Sequence, residues 1–171
     1  MRRIIGYLCK SSPVELLIGQ VKVDRVAGFK LLGVHITSDL RWNAHTVKIC
    51  AKASTRLYFL KQLKRAGLAA DQLRHFYLSA IRPILEYCSV VWHHGLTKAQ
   101  VEQLEAVQRR AIRIIFEVTY DMPYQSVLAY ANISSLQARR ESFSKNFFRN
   151  IMNNPDNPLF ECYRHPARLP S

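Results

Sequence analysis

Hydrophobic and polar positions follow two different rhythms along this chain, and the change falls near residue 39. Before it, short β-rich runs alternate with turn signals. Arg3–Cys9 is one such run, and Val14–Ile18 and Val21–Val26 flank Gly19-Gln20, a tight-turn pair. Phe29–Ile36 follows Ala27-Gly28 as a further strand. Within it Phe29, Leu31 and Gly33 point one way, and Lys30, Leu32 and Val34 the other. A small antiparallel β-meander is expected. So few strands cannot stand with one face bare, so the meander must lie on helices or on something outside this chain.

From Asp39 onward the rhythm is helical. A first helix, capped by Asp39 or Asn43, is expected to run to about Arg65, where Gly67 ends it. A second is expected from near Ala70. Leu73, Phe76, Tyr77, Ala80, Ile81, Ile84, Leu85, Cys88, Val91 and Trp92 form its inward stripe, Pro83 kinks it and Gly95 closes it. Thr97-Lys98-Ala99-Gln100 is a capping box for a third helix, with Val101, Leu104, Val107, Ala111 and Ile114/Ile115 buried. A short helix after Pro123 and a last one from Ser134 or Ser135 follow. The last should turn Leu136, Phe143, Phe147 and Ile151 inward, and the Pro-rich tail should be extended or loose. The fold class expected is α+β, mostly α: an N-terminal antiparallel meander and a bundle of four to five helices. It divides as 1–38, 39–153 and 154–171.

Composition narrows the class. A chain of 171 residues suits one domain with an appendage, and 49% hydrophobic content excludes a disordered polymer. No apolar run approaches the roughly 18–20 residues of a membrane span, and no membrane partner is expected. The apolar run after Met1-Arg2-Arg3 ends by Cys9, too short for a secretory signal, and four cysteines do not make a disulfide scaffold. An intracellular location, nucleus or cytoplasm or both, is the expectation.

Charge changes the picture most. The net charge is +13. Arg41, Lys48, Lys52, Arg56, Lys61, Lys64, Arg65, Arg74 and Arg82 share their stretch with one acid, Asp71. Further clusters are Arg109, Arg110 and Arg113, then Arg139, Arg140, Lys145 and Arg149. One cluster reads most simply as a solvated helix face; three on so basic a chain favour a polyanion partner. Tyr58 and Phe59 lie among cations and can stack bases or pack a core, but cannot both face the same core. Gly33 marks either the close approach of another backbone, such as a nucleic acid's, or a bend into the following helix.

Catalytic chemistry is not evident. The twelve acids are scattered, where two-metal phosphoryl transfer needs carboxylates together. The cysteines lack zinc-ligand spacing, and His93-His94 reads as a surface pair at a helix end. Phosphate-binding loops, a nucleophile elbow and an Fe(II) facial triad are missing from the pattern. A chain without enzymatic activity, cofactor or metal is expected.

Several segments carry a resemblance. They are Phe29-Lys30-Leu31-Leu32-Gly33-Val34, Asp39-Leu40-Arg41-Trp42-Asn43-Ala44-His45, Lys52–Leu60, Phe76–Tyr87, Val90-Val91-Trp92 and Leu104–Ala111. In that order and spacing they resemble the C-terminal part of reverse transcriptases from non-LTR (LINE-like) retrotransposons, from near residue 1 to about residue 150. The resemblance implies that Phe29, Lys30, Leu31, Leu32 and Gly33 match a primer grip. It implies that the Lys48–Arg65 helix, with Lys48, Lys52, Arg56, Lys61, Lys64 and Arg65, matches a thumb that holds an RNA–DNA or RNA duplex without sequence preference. The family's catalytic aromatic-x-Asp-Asp motif precedes this region, so a fragment without polymerase activity is implied. A missing palm domain or a second copy would be its protein partner. Separately, Ser54–Gly67 is similar to a short N-terminal segment of the eighth AlkB homologue, a family of tRNA-modifying oxygenases and methyltransferases, whose activity motifs do not occur here. Two functions remain open: a nucleic-acid-binding remnant, and a helical protein-interaction module.

Overall fold

A computed structural model describes residues 3–5 and 16–161. The expectations for Cys9, for Val14–Glu15 and for the tail beyond Glu161 lie outside these residues. The α+β, mostly α class is borne out: paired short strands lead into a helical bundle.

The strands are β1 (Arg3–Ile5), β2 (Leu17–Ile18), β3 (Val21–Lys22), β4 (Asp24–Val26), β5 (Gly28–Leu31) and β6 (Val34–Thr37). Gly19, at φ +65°, opens the two-residue turn between β2 and β3, as its sequence predicts. The strands form three separate pairs rather than one meander, and β1 pairs with β4 in parallel. The expected strand Phe29–Ile36 is instead a hairpin. Leu32 (φ +46°) and Gly33 (φ +88°) make its turn, and both positive angles match the twist of the flanking strands. Inserting a turn resets the alternation. Val34 now lies opposite Leu31 and Ile36 opposite Phe29, so these four share one face. Val34 is buried and Ile36 packs on the core, while Lys30 and His35 take the other face.

The first helix, α1 (Asn43–Arg65), has the expected extent but not the expected cap. Trp42 precedes it without a side-chain cap, and Asp39 instead accepts from Thr37 Oγ1 (2.6 Å) and the Arg41 N–H (3.0 Å). Those bonds hold the carboxyl of Asp39 below its usual range. The second helix is not one kinked rod. It consists of α2 (Ala70–Phe76), a widened π turn over Tyr77–Ile81, α3 (Arg82–Glu86) and α4 (Ser89–Trp92). The π turn ends where Pro83, lacking an N–H, enters the first turn of α3. Cys88 then adopts a left-handed conformation, and the Tyr87 carbonyl freed by the break accepts from the indole N–H of Trp92 at 3.0 Å. The break rephases the stripe: Trp92 is buried, but Val91 faces solvent. Gly95 closes a short 3₁₀ turn, and a Cβ there would collide with the Trp42 indole.

The third helix, α5 (Lys98–Ile115), carries the expected capping box: the Thr97 N–H donates to Gln100 Oε1 at 2.8 Å, and the Gln100 N–H to Thr97 Oγ1 at 3.3 Å. After it come α6 (Tyr124–Ala131) and α7 (Leu136–Met152), the latter capped by Ser135. Leu136 and Ile151 are buried as predicted, but Phe143 and Phe147 are exposed, and Arg140 and Ser144 take the inward face. Residues 154–160 form successive turns stitched by Asn154 and Asn157 side chains, not the loose tail expected. The core is continuous from Val34 through α1 and α5 to Leu136, with α1 packed against α5, α3, α2 and β6.

Candidate nucleic-acid interface

Helix α1 turns its apolar side, Ile49, Ala53, Leu57 and Leu60, into the bundle. The helical period therefore puts Lys48, Lys52 and Arg56, four residues apart, along one solvent edge. That edge faces the hairpin. Lys30 and His35 from the hairpin, Lys48 and Lys52 from α1, and Tyr87 after α3 line a groove of about 410 Å³. Among the described residues its lining contains no carboxylate, and Lys30, Lys48, Lys52 and Arg56 form no ion pair with an acid. Cations left uncompensated around a concave surface raise its positive potential and attract phosphates.

Two long-range bonds fix the hairpin beside the helix. The Tyr87 hydroxyl donates to the Leu32 carbonyl at 3.0 Å, and the His35 N–H donates to His45 Nδ1 at 3.4 Å. The ring of Tyr87 also answers the question raised by Gly33. A Cβ at Gly33 would lie 3.3 Å from Tyr87 Cε1, so the object in close approach is this tyrosine. His45 is buried between Trp42, Trp92 and His35, and burial pushes its pKa down, so the ring is neutral. Its Nε2 has no hydrogen-bond partner.

The predicted site residues are brought together only in part. Phe29 is half-buried on the core side of the hairpin, and Leu31 and Leu32 are exposed at its tip. Lys30, Leu32, Gly33, Lys48 and Lys52 meet at the groove, and Arg56 continues the same edge. Lys61 lies on the opposite edge of α1, toward α5. Lys64 is engaged within the fold. Its ammonium donates to the Ile114 carbonyl at 2.6 Å and pairs with Glu117 at 2.8 Å, which holds that carboxyl below its usual range. Arg65 is exposed in the last turn of α1. The groove's His35, His45 and Tyr87 were not predicted as site residues. His45 could have been found, three residues before Lys48 on the same helix; Tyr87 is 55 residues from Leu32, and no local pattern announces that contact.

The remaining basic clusters part company. Arg109 pairs with Glu102 at 2.8 Å and lies over the Tyr124 ring. Arg139 pairs with Glu86 at 2.5 Å, Lys145 with Glu141 at 2.7 Å, and Arg149 Nη1 donates to Asn146 at 3.5 Å. Arg140 is fully buried against Trp92, and burial lowers its pKa. Buried Glu105 accepts from Tyr124 (2.5 Å) and from the first N–H groups of α7, Leu136 (3.3 Å) and Gln137 (2.6 Å). An internal carboxylate thus fills the anion position at that helix end. Among the described residues no cluster of three His, Cys, Asp or Glu side chains is placed to hold a metal ion.

Comparison with known proteins gives one local match. The family described as alkylated DNA repair protein alkB homolog 8, N-terminal, matches residues 42–82, about a quarter of the chain. The match is wider than the Ser54–Gly67 segment singled out from sequence: it takes in all of α1 and α2 and the π turn, ending at Arg82. No curated protein and no solved structure matches the chain.

Proposed function

We propose that this chain is a non-catalytic nucleic-acid-binding module that holds an RNA–DNA or RNA duplex by its phosphates, in the manner of a reverse-transcriptase thumb. The observation that carries the reading is the groove where Lys30, Lys48 and Lys52 converge, with no carboxylate among the described residues that line it, extended along α1 by Arg56. Point contacts from lysine and arginine to phosphate position a duplex without reading its sequence. The hairpin tip, held over the groove by Tyr87, is where the end of a strand would rest. The resemblance to non-LTR retrotransposon reverse transcriptases rests on the sequence segments alone. The local likeness to the AlkB homologue 8 N-terminal region covers the same cationic helix and suits a nucleic-acid-facing role equally. The test is a filter-binding titration of the whole chain with an RNA–DNA duplex at two salt concentrations. Binding that weakens steeply with salt and is indifferent to sequence is expected; salt-insensitive or undetectable binding contradicts it.

A second reading, a protein-interaction module, is favoured by a different observation. Leu16, Leu17, Ile18 and Val21 on the β2–β3 pair are exposed, as are Phe143, Phe147 and Met152 on α7. These surfaces suit a missing palm domain or a second copy. Sedimentation of the chain over a concentration series separates this reading: a constant monomer mass counts against self-association.

A further inference from the structure

The opposite edge of α1 carries a second groove that the proposed duplex interface does not use. It lies between α1 and α5 and measures about 430 Å³. Its polar walls are Lys61 from α1 and Arg110 and Arg113 from α5, and among the described residues its lining contains no carboxylate. None of the three cations pairs with an acid among the described residues. Glu117, on the neighbouring 3₁₀ turn, is occupied by Lys64, and Asp121 follows Tyr120 without lining the groove.

Two aromatic rings flank these charges. Tyr58 is 59% exposed and Tyr120 67% exposed, although both line the groove. Exposed aromatic faces beside cations are surfaces on which bases can stack. Arg113 already lies over the Tyr120 ring, 5.4 Å from its centroid, and its Nε is buried without a hydrogen-bond partner. The sequence left Tyr58 and Phe59 undecided between core and surface. The structure exposes both, with the two rings edge to face at 5.8 Å between centroids, and of the two Tyr58 lines this groove.

From this arrangement we infer that the α1–α5 groove binds a single-stranded stretch of nucleic acid. A base stacks on Tyr58 and Tyr120, and its flanking phosphates meet Lys61, Arg110 and Arg113. Cations that track a backbone, with aromatic faces that accept any base, are the general means of holding a single strand without reading it. A duplex is the poorer fit here, because its bases are already stacked on each other and cannot reach the rings. An acidic peptide satisfies the cations but leaves the tyrosine rings uncovered, which makes it the poorer fit.

The inference concerns a different surface from the duplex groove, though it extends the reading of the chain as a nucleic-acid binder. The experiment is fluorescence anisotropy of the whole chain with a labelled oligothymidylate and, separately, a labelled blunt RNA–DNA duplex in one buffer. The Y58A/Y120A double variant is expected to weaken oligothymidylate binding at least about tenfold while duplex binding stays within about twofold. The Y58F/Y120F variant keeps single-strand affinity, because stacking needs the ring and not the hydroxyl. The K48A/K52A double variant is expected to weaken duplex binding and spare the single strand. The inference is overturned if Y58A/Y120A leaves oligothymidylate affinity unchanged, lowers both ligands alike, or if polyglutamate binds with the same tyrosine dependence. Single-strand binding that depends on the tyrosines with no duplex binding at all would sink the duplex reading alone.

Discussion

Helices α1 and α7 carry similar densities of positive charge, yet the fold uses them in opposite ways. On α1, Lys48, Lys52 and Arg56 stay outside beside a groove and, among the described residues, pair with no acid. On α7, Arg139 is clamped by Glu86, Arg140 is sealed against Trp92, and Lys145 pairs with Glu141. The difference lies in where the carboxylates fall. Glu86 is 53 residues from Arg139 and reaches it only through the tertiary structure. Free charge, which steers a polyanion, and fixed charge, which joins helices, look alike along a sequence and differ only in three dimensions.

Removing an acid that serves the α7 side is expected to give the largest effect. Glu105→Ala leaves the first N–H groups of α7 and the Tyr124 hydroxyl without an acceptor and removes a negative charge that acts on buried Arg140. A loss of about 3–5 kcal/mol in urea unfolding is expected. Glu86→Gln keeps the shape but weakens the clamp on Arg139, whose pKa that carboxylate raises, and is expected to cost about 2 kcal/mol in the same assay.

The next effect is one of pH. Burial depresses the folded-state pKa of His45, and burial with Arg140 and His94 depresses that of His93. Below an unfolded pKa near 6.5, the unfolded chain takes up protons that the folded chain refuses. Stability is therefore whole above that value and falls as pH drops toward the folded values, by at most about 1.4 kcal/mol per pH unit for each histidine. His45→Asn, which offers an oxygen where Nδ1 accepts from His35, is expected to flatten the decline in thermal melts between pH 7.5 and 5. The smallest effect on stability belongs to the free edge: Lys48→Ala, Lys52→Ala or Arg56→Ala each shift it by less than about 0.5 kcal/mol.

What was legible in the sequence follows the same division. Local signals worked: the Gly19-Gln20 turn, the Thr97–Gln100 capping box, the Ser135 cap and the span of α1 all depend on residues within a few positions of each other. Of the groove's lining, Lys30, Leu32, Gly33, Lys48 and Lys52 were among the residues singled out from the sequence. Features set by distant partners were not legible. The hairpin position depends on Tyr87 reaching Leu32, 55 residues away. Phe143 and Phe147 have inward spacing but stay exposed, while Arg140 finds the Trp92 face. Lys64 and Lys61 share a helix with the groove lysines but lie on other sides of it, one tied to Glu117 and the other facing α5.

The most direct test of the central claim is the salt dependence of RNA–DNA duplex binding by the K48A/K52A/R56A variant beside the unaltered chain. If these three side chains each neutralise a phosphate, the slope of log affinity against log salt becomes shallower by roughly 2.7, at about 0.9 per contact. A slope that stays the same in the variant, with the fold intact, places the duplex elsewhere and contradicts the account.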